Sequence, residues 1–176
     1  MALATQLILT IIVTIAAIYD LRWRRIPNWL VFPGIVTGIA LNTFLFEWAG
    51  LKASLLGIGF SMLIYVPLYL VRGMGAGDVK LMMAVGSLAG PAPWLGIFIT
   101  TAILGGVIAI VFLLIRGRLG KTLGNVGFMV QQVAHGQAPY ANPELDVRSG
   151  KGTSLPHGAV IALGTLLYLA IVRFNG

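Results

Sequence analysis

Residues 2–28 read ALATQLILTIIVTIAAIYDLRWRRIPN: an apolar run from Ala2 to Tyr19, one acid at Asp20, then the basic cluster Arg22, Arg24 and Arg25. The run approaches the roughly 20 apolar residues that an α-helix needs to cross a bilayer. No basic residue precedes it, and it is longer than the apolar core of a cleavable signal, so it reads as a retained first span. Further apolar runs cover Trp29 to Phe46, Ala53 to Val71, Trp94 to Ile115 and His157 to about Phe174. A polar break, Glu47 to Lys52, separates the second run from the third. A shorter helix is expected from Val79 to about Ala89, stopped by Gly90-Pro91-Ala92-Pro93. At about 1.5 Å per residue such a helix does not cross ~30 Å of hydrocarbon unaided. The reading is an all-α integral membrane protein, a bundle of about six transmembrane helices in a single membrane-embedded domain, residues 1–176. The alternative is five spans and a re-entrant segment.

Composition supports this. Of 176 residues, 58% are hydrophobic and 10% charged, against roughly a quarter charged in soluble domains. A soluble fold of this size would expose much of its apolar surface and aggregate. With the N-terminus outside and six alternating spans, the inner segments hold Arg22, Arg24, Arg25, Arg72, Lys80, Arg116, Arg118, Lys121, Arg148 and Lys151. The outer segments hold only Lys52 and Arg173. That asymmetry is the positive-inside pattern, and it places Asp20 and Asp78 at the cytoplasmic ends of their helices. The net charge of +7 is explained in the same way, so no nucleic-acid partner is expected. The polar stretch from Gly117 to Pro156 is a cytoplasmic loop, within which residues 122–133 suit an amphipathic helix lying on the membrane surface.

Several chemistries are excluded. The chain has no cysteine, hence no disulfide, thiolate metal site or cysteine nucleophile. His135 and His157 lie in different segments and make no HExxH-type pair. No metal and no cofactor is expected. Of five acids, Glu47 falls in an outer loop and Glu144 and Asp146 in the cytoplasmic loop. Only Asp20 and Asp78 abut apolar spans on the cytoplasmic side, and ionisable groups at membrane depth are costly enough to point to function. Taken singly, each has a plainer role: Asp20 as a partner of Arg24 or Arg25, Asp78 as a helix N-cap after Gly77. Together they form a pattern. Gly75 and Gly77 remove side chains beside Asp78, so a backbone or an extended substrate can approach. Two neighbouring carboxyls cannot both ionise cheaply and share a proton. One can then take a proton from water while the other polarises a carbonyl. A second reading is a small transporter or ion-conducting protein, since buried acids also relay protons. It requires acids near the bilayer midplane, whereas these sit at helix ends among basic residues.

Gly75-Ala76-Gly77-Asp78 fits the GxGD signature of intramembrane aspartyl proteases, and Gly73 to Leu81 resembles its type IV prepilin peptidase version. Tyr19-Asp20 through Ile26-Pro27-Asn28 resembles that family's first aspartate motif, and Leu155 to Gly164 its entry into the last span. The resemblance implies that Asp20 and Asp78 are the catalytic pair. It implies a prepilin substrate with a short basic leader, a glycine before the cut and an apolar helix after it. The pilus assembly machinery is an implied partner, and the bacterial cytoplasmic membrane, with cleavage at its inner face, the implied location. Lys80, beside Asp78, is a candidate for contact with substrate. Longer members carry a further cytoplasmic domain, often with paired cysteines, and methylate the new N-terminus. This chain joins its first two spans by about eight residues, so it is expected to be a peptidase alone, similar to the short forms serving tight-adherence (Flp-type) pili. It has His157 where Pro, Tyr or Phe is usual in the family. The presenilin and signal peptide peptidase branch shares GxGD, but its Pro-Ala-Leu motif is absent.

Smaller features read as structural. Met74, Met82 and Met83 suit packing. Trp23, Trp29, Trp48 and Trp94 stand at span ends, where interfacial anchors are found. Gly57, Gly59, Gly105 and Gly106 are expected to let helices pack closely.

Overall fold

The computed structural model describes residues 1–70, 74–115 and 156–175, with Gly124 and Gly127 between them. The expected loop and its amphipathic helix over 122–133 lie almost wholly outside the described residues, as does Gly73. Five helices are described: α1 (Leu3–Trp23), α2 (Asn28–Leu70), α3 (Ala76–Ala89), α4 (Pro91–Ile115) and α5 (His157–Asn175). All but α3 are long and apolar enough to cross a membrane.

The expected second and third spans are therefore one helical element, and the polar break over 47–52 contains helix rather than loop. The interruption is a single residue, Glu47, at φ 51° and ψ −133°. It turns the chain back on itself. Ser54 Oγ donates to the carbonyl of Gly38 at 3.4 Å, although sixteen residues of straight helix would hold them about 24 Å apart. A Cβ on Gly50 would overlap the Asn42 carbonyl, so the crossover needs that glycine. We describe α2 as two antiparallel arms, one on each side of Glu47.

The centre of the molecule is α3. Ten of its 14 residues are buried, and it packs on every other helix, most extensively on α2. Its length, about 21 Å, falls short of the hydrocarbon thickness, and its last carbonyls are satisfied inside the protein. Asn42 Nδ2 donates to Ser87 O (2.9 Å) and Leu88 O (3.1 Å), and Ser54 Oγ donates to Ser87 O (2.7 Å). Midway along the helix, Ser61 Oγ and Trp94 Nε1 both donate to Met82 O. Unpaired backbone groups at this depth would each cost several kcal/mol, so these side chains allow a short helix to stay buried. Gly57 and Gly86 bring the second arm of α2 and α3 into backbone contact, since a Cβ on either would overlap the other's carbonyl.

Three expectations are corrected. Trp94 is no interfacial anchor. It is fully buried, stacked on Phe98 and Phe60, with Tyr65 edge-on; its N–H is consumed by α3, and Pro91 at the first helical position starts α4 earlier than expected. Trp23, Trp29 and Trp48 are exposed. Gly59 and Gly106 have open space where a side chain would be, so they serve no close packing, whereas Gly57 does and Gly105 approaches only Val160. The central helix begins at Ala76, three residues before the expected Val79, which changes the role of Asp78.

Candidate active site

Starting α3 at Ala76 makes Gly75 the N-cap and Asp78 the third helical residue. The carboxylate turns back and accepts the Gly75 N–H through Oδ2 at 3.2 Å. It is thus half of a capping box, with a glycine in place of the usual hydroxyl residue. Asp78 is 8% exposed.

Asp20 sits one turn before the end of α1, where Arg24 enters the left-handed region (φ 54°) and donates its N–H to the Asp20 carbonyl. The side chain points inward, 7% exposed, and Oδ2 accepts the N–H of Ala159 at 3.2 Å. Ala159 lies in the first turn of α5, whose N–H groups have no partner within the helix. Each aspartate therefore meets a helix N-terminus, Asp78 its own and Asp20 that of α5. Both positions suit a negative charge.

The two acids are brought to one end of the bundle by what separates α3 from α5. Ile26, in the link between α1 and α2, has its side chain against both. A Cβ on Gly77 would stand 3.2 Å from Ile26 Cβ; one on Gly158 would stand 2.8 Å from Ile26 Cδ1 and 3.1 Å from Asp20 Oδ2. Asp78 lies within electrostatic reach of both Asp20 and His157, and Tyr65 within reach of Asp78. Among the described residues no three His, Asp or Glu side chains cluster as a metal site would require.

The other candidates are placed as follows. Gly75 is exposed and carries the N–H that holds Asp78. Gly77 is partly exposed, with the Ile26 side chain where a Cβ would point. Lys80 donates to Asn28 Oδ1 at 3.1 Å and lies over the Phe32 ring at 5.4 Å, so its ammonium ties α3 to the start of α2. Beside Asp20, an apolar cavity of about 370 Å³ runs along α1 and α5, lined by Ala17, Ile18, Leu21, Ala159 and Leu163 among others.

Sequence reasoning gave no role to Ile26, Gly158 or His157. Ile26 and Gly158 stood inside quoted motifs, but their function is a contact between segments more than 130 residues apart, which leaves no local signal. No curated protein and no solved structure matches the chain. The model of the type IV leader peptidase family matches residues 7–110, a stretch that includes both aspartates. That match covers more than half of the sequence, and the chain belongs to the type IV leader peptidase family.

Proposed function

We propose that this protein is an aspartic endopeptidase that removes the basic leader of type IV, Flp-class prepilins, with Asp20 and Asp78 as the catalytic dyad. The observation that carries the reading is the pair of buried carboxylates, each on a helix N-terminus and within electrostatic reach of each other. The reaction needs one carboxyl protonated and the other ionised, and the helix ends stabilise the negative charge. The ionised carboxylate takes a proton from water, whose oxygen attacks the scissile carbonyl carbon. The protonated carboxyl donates to the carbonyl oxygen. Collapse of the tetrahedral intermediate returns a proton to the leaving amine, giving a leader carboxylate and a new pilin N-terminus. The step requires an extended substrate backbone, and Gly75, without a side chain and exposed, leaves room for one.

The wider setting belongs to the same proposal. The N-terminus lies outside, the arms of α2 form an outer hairpin, and α3 completes six membrane-embedded segments in one domain. The site faces the cytoplasm of a bacterial inner membrane. The apolar hollow along α1 and α5 has room for side chains of the apolar segment that follows the cut. The absence of cysteine and the short α1–α2 link favour a peptidase without methyl transfer.

The test is cleavage of a co-expressed prepilin by the parent, Asp20→Asn and Asp78→Asn, each checked for membrane insertion. Loss of cleavage by at least about a thousandfold in both is expected, because neither carboxylate can perform both proton transfers. Retained cleavage in either variant returns that aspartate to a capping role.

A further inference from the structure

We infer that Ile26 is a positioning residue, the spacer whose width sets how far apart the carboxylates of Asp20 and Asp78 stand. The inference rests on the dyad reading above and adds to it a residue that touches neither water nor substrate. Its basis is a three-layer stack at the site end of the bundle: Gly77 of α3, the Ile26 side chain, and Gly158 of α5. Gly77 immediately precedes Asp78. Gly158 immediately precedes Ala159, whose N–H holds Asp20, and its own position abuts the Asp20 carboxylate.

The slot has two different walls. On the α3 side a new Cβ would meet the branched stem of isoleucine, with Cβ at 3.2 Å and Cγ1 at 3.6 Å. On the α5 side it would meet the terminal Cδ1 at 2.8 Å and also Asp20, with Oδ2 at 3.1 Å and Cβ at 3.2 Å. The spacer is also stiff. A β-branched side chain has few χ1 states, and Pro27 confines the Ile26 backbone to extended conformations. Narrowing this residue lets the starts of α3 and α5 approach or slide, and each carries or holds one carboxylate. A dyad working through one shared proton and one water is sensitive to such a shift, since misplacement by about 1 Å can cost about a hundredfold in rate.

The experiment uses the full-length enzyme in detergent with purified prepilin. For Ile26→Ala, kcat is expected to fall by about 10- to 100-fold, with KM within about twofold of the parent. The separation between the two limbs of the kcat pH profile is expected to change as well, because that separation reports the coupling of the two acids. A packing role alone would lower thermal stability and move neither kcat nor the limbs. The unequal walls supply a second test that does not depend on Ile26→Ala folding. Gly158→Ala and Gly77→Ala should both lose activity. Ile26→Val lacks Cδ1, so it should raise the activity of Gly158→Ala by about fivefold or more, the remaining deficit coming from the new methyl against Asp20. It keeps Cβ, so it should leave Gly77→Ala impaired. Parent-like kcat in Ile26→Ala, or valine failing to improve Gly158→Ala more than Gly77→Ala, overturns the spacer. Asp20→Asn and Asp78→Asn in the same assay separate the two levels. If either retains cleavage, the dyad reading itself falls. If both are dead while Ile26→Ala is parent-like, only the spacer falls.

Discussion

At the scale of the residue, the two aspartates show how far one side chain can be read from sequence. Their candidacy was legible, because no other acid of this chain borders an apolar span on the basic side. Their partners were not. Asp20 pairs with a backbone N–H 139 residues away, and Asp78 caps its own helix from the third position rather than from the cap itself. Trp94 carries the opposite lesson. A tryptophan at the start of an apolar run looks like an interfacial anchor, and only the packing of α3 beside it shows that its N–H is needed inside. Trp94→Phe should therefore cost about 1 kcal/mol of stability, the usual net value of one hydrogen bond, as a lowered denaturation midpoint in detergent. Trp48→Phe, exposed beside the Glu47 turn, should change it by less than about 0.5 kcal/mol.

At the scale of the element, α3 shows how a helix too short to cross the membrane can stay buried at the centre of the bundle and carry a candidate catalytic carboxylate. Its C-terminal half is held by side chains of both α2 arms, and its N-terminal turn carries the carboxylate. Asn42→Leu is expected to destabilise the protein by about 1–3 kcal/mol, because Leu88 O loses its side-chain donor and Ser87 O one of two. Below its lowered melting temperature the variant should still cleave prepilin, since Asn42 lies at the far end of α3 from Asp78. Lost cleavage in a folded Asn42→Leu would show that the two ends of α3 are not independent. The helix was legible as an element, from the glycine run before it and Gly90-Pro91 after it. Its central position was not, because which neighbours bury a segment depends on pairings among distant residues such as Asn42, Ser54 and Ser87.

For the whole molecule, the all-α membrane architecture followed from apolar runs and basic flanks, which are properties of each segment alone. The way α2 doubles back was only half legible: the polar residues 47–52 marked a break, but its reduction to one residue depends on Gly50 meeting Asn42. The proposed orientation has a direct test, since the chain has no cysteine of its own. In intact inner-membrane spheroplasts an impermeant maleimide should label Lys52→Cys and leave Arg25→Cys unlabelled until the membrane is opened. The reverse pattern would invert the protein. The turn itself has a further consequence. Glu47 occupies φ and ψ values close to those of the first central residue of a type II′ turn, a place dominated by glycine. A non-glycine residue held there stores about 1–3 kcal/mol, on the side of the bundle away from the carboxylates. Glu47→Gly should release part of that cost and raise the melting temperature without altering cleavage, so the molecule carries a stability reserve that its chemistry does not draw upon.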